Sequence, residues 1–174
     1  MTEKEELAKL LWEAGALRLS EGEEPLIWAP EAALAGERVR NTLLDALEAM
    51  VREHYAAAQA LLGGPWAALL AERLSLPLDP ERLPPHPLVV TDAVKDGSEL
   101  HALAAPIRAL GASIAAAAIF NFGFPSARRM LDKADVRLHW LTDLETAAAV
   151  ALQEGLADFE TYDRLMAMPE KEEA

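Results

Sequence analysis

The stretch Pro87–Leu100, PLVVTDAVKDGSEL, leaves few options for the fold. Leu88, Val89 and Val90 form an unbroken apolar run, the pattern of a parallel strand buried on both faces. Asp92 ends the run. Lys95-Asp96-Gly97-Ser98 has turn composition, and Ser98 is the expected N-cap of a helix reaching about Leu110. A loop that leaves a parallel strand and enters a helix N-terminus is where open α/β sheets hold phosphates. Free backbone N–H groups and the helix dipole converge there.

Strand and helix signals alternate along the rest of the chain. Thr2–Ala14 reads as a helix: Thr2 and Glu5 have capping-box spacing, and Leu7, Leu10, Leu11 and Ala14 share one face. Ala16–Ser20 and Pro25–Ala29 read as short extended pieces around the turn Glu21-Gly22-Glu23-Glu24. Glu37–His54 is a second helix, with Val39, Leu43, Leu47, Met50 and Val51 at helical spacing. Ala56–Leu62 is a strand candidate, followed by the turn Gly63-Gly64-Pro65-Trp66 and a helix to about Leu74. Asp79–His86, DPERLPPH, is a proline-rich connector. Ser113–Phe122 and Val136–Leu141 are further strands. Helices start at Phe124-Pro125-Ser126, at Asp143 and at Asp158, and Pro169 onward reads as a frayed charged tail. The pattern predicts one α/β domain over residues 1–174, with a mainly parallel sheet, helices on both faces and Leu88–Val90 among the interior strands.

Charge and composition narrow the function. A net charge of −13 argues against nucleic acid and anionic membrane surfaces as partners, although a small anion needs only a local positive site. Without cysteine there is no disulfide, thiolate catalysis or Cys-based zinc site. The acidic, amphipathic first residues are unlike a signal peptide, and the longest apolar run, Ile114–Phe120, is too short to span a bilayer. A cytoplasmic location is the expectation. His54, His86, His101 and His139 show no metal-ligand spacing, and His139, alternating with apolar residues, reads as a core or dimer-face histidine. Trp12, Trp28, Trp66 and Trp140 read as core or interface.

Several segments resemble the orotate phosphoribosyltransferases, a branch of the type I phosphoribosyltransferases. Ile119–Ala127 (IFNFGFPSA) resembles the family's "IF-T-Y-GFPKA", Val136–Thr146 (VRLHWLTDLET) its "V-x-L-x-x-LT-x-x-x-T", and Val150–Gly155 (VALQEG) its "VALEEG". Gly63 and Gly64 fall where the family's pyrophosphate-side turn lies. The Pro87–Leu100 stretch resembles the signature in which two acids hold ribose hydroxyls and a hydroxyl-rich loop cradles the 5′-phosphate. In that frame Thr91 replaces the first acid and Asp92 is the second. Lys95 and Asp96 replace two hydroxyl residues, Gly97 and Ser98 are kept, and Glu99 replaces the last hydroxyl. The resemblance implies a homodimer, a small phosphorylated ligand at Asp92, Lys95, Gly97 and Ser98, and a diphosphate near Gly63 and Gly64. It also implies Mg²⁺ if the chain joins orotate to 5-phosphoribosyl pyrophosphate (PRPP).

The departures fall on that chemistry. The family's Ser-Gly-x-Lys-Ser-Pro-x-Tyr segment is missing, since Trp28-Ala29 runs straight into Pro30-Glu31-Ala32-Ala33. DPERLPPH, with Arg82 as its one arginine, replaces a long cationic loop. A carboxylate about 5 Å from a phosphate charge costs roughly 3 kcal/mol before screening, and Asp96 and Glu99 both threaten that. The sequence therefore reads as a family member with impaired catalysis, no catalytic residue assigned, and a ligand-binding or regulatory role. The alternatives are an active enzyme making orotidine 5′-monophosphate and an interaction protein pairing with itself or an active paralogue.

Overall fold

Apolar runs at Leu88–Val90 and Ile114–Phe120 form the centre of a parallel sheet. The computed structural model describes residues 1–111 and 113–173. In chain order it forms α1 (Glu3–Glu13), β1 (Leu17–Leu19), β2 (Leu26–Trp28), α2 (Pro30–Ala35), α3 (Glu37–His54), β3 (Ala60–Gly63), α4 (Pro65–Leu74), β4 (Pro87–Val94), α5 (Ser98–Ala109), β5 (Ile114–Asn121), α6 (Pro125–Lys133), β6 (Val136–Asp143), α7 (Leu144–Gln153), α8 (Phe159–Met166) and α9 (Met168–Glu173).

The main sheet has the order β3-β4-β5-β6, all parallel, and β1 and β2 form a separate antiparallel hairpin. Leu78 adds a parallel bridge to Leu61 on the other side of β3. The chain therefore leaves β3 in one direction through α4, and leaves β4 in the opposite direction through α5. With right-handed crossovers, α4 and α5 must cover opposite faces. The packing agrees: α3 lies against α4, and α5 lies against α6. The reversal makes the C-terminal ends of β3 and β4 a topological switch point, where the two neighbouring loops splay apart and leave a crevice.

β4 pairs with β3 on one side and β5 on the other, so Leu88, Val89 and Val90 are interior and each about 1% exposed. β5 presents Ala116, Ala117 and Ala118, all fully buried. Small side chains there let helices approach the sheet closely at some cost in strand propensity. α1 closes the other end of the chain. Its capping box forms as expected, with Thr2 Oγ1 accepting the Glu5 amide at 3.3 Å. Its far end is fixed to α7, where the Trp12 indole donates to the Ala147 carbonyl at 3.0 Å.

The structure corrects several expectations. Asp92 does not end the strand; β4 continues through it to Val94, because Ala93 and Val94 still pair with Phe120 and Asn121. Ser98 is not an N-cap. Gly97 holds that position at φ 76°, and Ser98 is the first helical residue. Ala56–Ala58 form a turn before β3, closed by the Ala58 amide on the Tyr55 carbonyl. Pro30–Ala35, where no element was expected, forms a helix with proline in its first turn. Residues Met168–Glu173 of the expected tail are helical, with Glu172 accepting the Ser126 hydroxyl at 2.5 Å. No helix among the described residues is long and apolar enough to cross a membrane.

Candidate anion-binding site at the sheet switch point

Both loops of the crevice have their amides engaged by the chain's own acids. After β4, Asp96 Oδ1 accepts the Ser98 amide at 2.9 Å and the Ser98 hydroxyl at 2.7 Å. The Ser98 amide holds the Asp96 carboxyl below its usual range, helped by the hydroxyl. This is an Asx turn whose carboxylate sits on the first free N–H of α5, the place a phosphate oxygen would take. Gly97 cannot be replaced cheaply. Its φ is positive, and a Cβ would come within 3.3 Å of the Ala127 backbone on α6.

Lys95 is also engaged. Its Nζ meets both carboxylate oxygens of Glu24 at 2.9 Å and lies 5.7 Å from the Phe122 ring centroid. Glu24 belongs to the turn between β1 and β2, so this pair fastens the hairpin over the loop. The adjoining groove, about 360 Å³, is lined by Glu23, Glu24, Lys95, Asp96, Lys171 and Glu172. Its acids outnumber its lysines.

On the other side, the Gly63 amide donates to Asp79 Oδ1 at 3.2 Å. Gly63 has φ 143°, and a Cβ there would lie 2.2 Å from the Val90 carbonyl oxygen. Its glycine is explained by packing against β4. Gly64 faces open space, with nothing within 4 Å of the point where a methyl group would project. Between the loops, Asp92 is partly buried. Burial pushes its carboxyl above the usual range and the Glu31 charge adds to this, against the Ala93 amide and the Trp28 indole. Trp28 lies flat on Phe120, ring centroids 5.4 Å apart, so its ring face is used inside the protein. Thr91, in the first-acid position, is 8% exposed and directed to the Ala93 carbonyl.

The family's "LT-x-x-x-T" motif has a structural task here. Thr142, fully buried, donates to the Lys4 carbonyl at 3.0 Å. Asp143 caps α7 by accepting the Thr146 amide and hydroxyl, and also accepts from the Trp140 indole and Lys4. The motif thus joins α1, β6 and α7.

Known proteins share both the sequence pattern and the fold. The chain is 27% identical to the orotate phosphoribosyltransferase of Bacillus subtilis over 185 aligned positions, covering 87% of this chain and 85% of that protein. It is 28% identical to the enzyme of that name from Allorhizobium ampelinum, covering 91% and 84%. The chain is thus similar to orotate phosphoribosyltransferases along most of its length. No family model matches it. The crystal structure of orotate phosphoribosyltransferase from Aeropyrum pernix shares the fold, with a TM-score of 0.72, 24% identity, and coverage of 86% of this chain and 99% of that one. The Bacillus subtilis alignment is longer than this whole chain of 174 residues. That orotate phosphoribosyltransferase therefore carries residues inside the alignment that this chain lacks.

The switch point brings together Asp92, Lys95, Gly97, Ser98, Gly63 and Gly64 as the sequence suggested. Sequence reasoning missed what occupies the loops. The Asp-x-Ser spacing at Asp96 and Ser98 is an Asx-turn signal and was legible. Glu24 and Asp79, distant in the chain, gave none. Among the described residues no group of three or more His, Asp or Glu is arranged to hold a metal ion.

Proposed function

We propose that this chain is an orotate phosphoribosyltransferase homologue impaired in phosphoribosyl transfer, whose crevice binds a small ligand in a regulatory role. The observation that carries this reading is the Asp96 carboxylate on the Ser98 amide and hydroxyl. A 5′-phosphate entering the loop must displace a bound carboxylate and then sit beside it, and Lys95, already paired with Glu24, offers little compensation. Transfer also needs cations on the departing diphosphate and exclusion of water from an oxocarbenium-like centre. The short 79–86 connector brings Arg82 alone among arginines and lysines. This reading takes the protein as a cytoplasmic homodimer, supported by the family resemblance and testable by light scattering at micromolar concentration.

The deciding experiment mixes the protein with orotate, PRPP and Mg²⁺ and follows orotidine 5′-monophosphate. No product above background is expected, and steady turnover overturns the reading. The second reading is an active orotate phosphoribosyltransferase. Relatives of that name align along most of both chains, which favours it. In that case Asp92, the carboxylate within β4, would meet the ribose hydroxyls or help hold Mg²⁺, which would neutralise charge on the departing diphosphate.

A further inference from the structure

A second cluster lies at the opposite end of the sheet, where the strands begin. The His54 and His139 rings stack face to face, centroids 4.0 Å apart and planes 12° apart. Tyr55 donates its hydroxyl proton to the Ala116 carbonyl at 2.9 Å. Its oxygen is then left to accept, which assigns the proton of the 2.5 Å contact to His139 Nδ1. The Arg137 guanidinium lies 5.2 Å from the Tyr55 ring centroid. These groups adjoin a cavity of about 80 Å³ whose polar lining is His54, Tyr55, His86, Ser113 and Arg137, with Leu88 and Ala115 as part of its apolar wall.

We infer that this cavity is a binding site for a small oxyanion, inorganic phosphate or a compact carboxylate, held by Arg137, His54, His86 and Ser113. Three features support it. First, an arginine, two histidines, a tyrosine and a serine line one small cavity in a chain whose net charge is −13, and no carboxylate is among the described residues lining it. Second, the lining itself carries one fixed cation, Arg137, and no fixed anion among the described residues. Around it stand Glu53 and His54 from α3, Tyr55 beyond it, His86 from the proline-rich connector, and Arg137 and His139 from β6, while Glu81 and Arg82 line a neighbouring cavity that shares His86 and Ser113. Glu53 is the acid that touches an imidazole, 3.7 Å from His54 Nε2. Burial, then His54 and Arg137, push the His139 imidazole below its usual range against the Glu53 charge, and its ring is the face on which His54 stacks. Third, ligand pockets for larger molecules run to about 300–1,000 Å³, and this cavity takes one compact ion. The inference is independent of the reading of the switch point.

The test titrates the intact protein with sodium phosphate at constant ionic strength while the imidazole signals are followed by NMR, near pH 6 and near pH 8. Saturable shifts of His54 and His86 are expected, with His101 unmoved. Arg137→Gln, an exposed position, should weaken binding about tenfold. His86→Asn, on the connector, should weaken it without touching the sheet, and circular dichroism checks that both variants fold. Acetate should compete and ribose 5-phosphate should not. Phosphate that leaves His54 and His86 unmoved, equal shifts with chloride, unchanged binding in Arg137→Gln, or ribose 5-phosphate competing as well as phosphate would each overturn the inference.

Discussion

The Tyr55 hydroxyl and the Ala116 carbonyl, 61 residues apart in sequence, share a hydrogen bond of 2.9 Å. It fixes the end of α3 to the middle of the sheet. Burial pushes the Tyr55 phenol up to about 12, against the nearby Arg137 charge and the His139 backbone. Tyr55→Phe removes the donor and leaves His139 Nδ1 without its acceptor. The expected loss is about 1–3 kcal/mol of unfolding free energy, measured by urea denaturation. In the parent protein, one of the two tyrosines should resist ionisation in an absorbance titration until about pH 12.

At the switch point, replacing Asp96 and Glu99 together with threonine removes two carboxylates from the loop after β4 and the first turn of α5. Each costs roughly 3 kcal/mol at 5 Å before screening. Affinity for ribose 5-phosphate, measured by calorimetry, should rise by about tenfold or more. Formation of orotidine 5′-monophosphate should remain at background, because neither change supplies a cation for the diphosphate. Unchanged affinity would show that Asp96 does not block the loop.

Asp143 makes a pH-dependent contribution. Burial pushes its carboxyl up, but the Thr146 hydroxyl and amide, the Trp140 indole and Lys4 outweigh burial and hold it at about 2, against a usual 3.8. Because the folded value is the lower one, the stabilisation is complete above about pH 4 and is lost as the pH falls through 2. Asp143→Ala should cost up to about 2 kcal/mol at neutral pH. The gap between variant and parent should close in denaturation curves recorded toward pH 2.

The two glycines after β3 should behave differently. Gly63→Ala forces a methyl onto the Val90 carbonyl oxygen at a positive φ and should cost more than about 2 kcal/mol. Gly64→Ala has open space, but its ψ of −144° lies outside the regions favoured for residues with a Cβ, so it should cost about 1 kcal/mol, less than Gly63→Ala. A thermal-melt comparison separates them.

The parallel sheet was legible because its signals are local. The run Leu88–Val90, the turn at Lys95–Gly97 and the helical spacing of Leu43, Leu47 and Met50 each sit within a few residues. The ligand-facing chemistry was only half legible. The sequence shows that Asp96 is an acid in a phosphate-type loop, but not that its oxygen is spent on Ser98. It shows four histidines with no common spacing, and three of them reach one end of the sheet because α3, the connector before β4 and β6 all end or begin there. Long-range pairs such as Lys95 with Glu24 leave no periodic trace. No element was expected at Pro30–Ala35, which is too short to show helical periodicity, although proline is favoured in a first helical turn.

The anchoring of α1 on β6 and α7 has a consequence for synthesis. Leu7, Ala8 and Leu11 are synthesised well before β6 and α7, yet the Trp12–Ala147 and Lys4–Asp143 contacts need a partner about 140 residues later. At translation rates of roughly 5–20 residues per second, the part of α1 that packs on β6 and α7 waits about 7–30 s for those partners, with β1 and α3 as its earlier neighbours. The nascent chain can assemble β3 to β5 while this first helix waits. A ribosome stalled before β6 therefore displays an orphan amphipathic helix, the natural point of capture for a holdase chaperone.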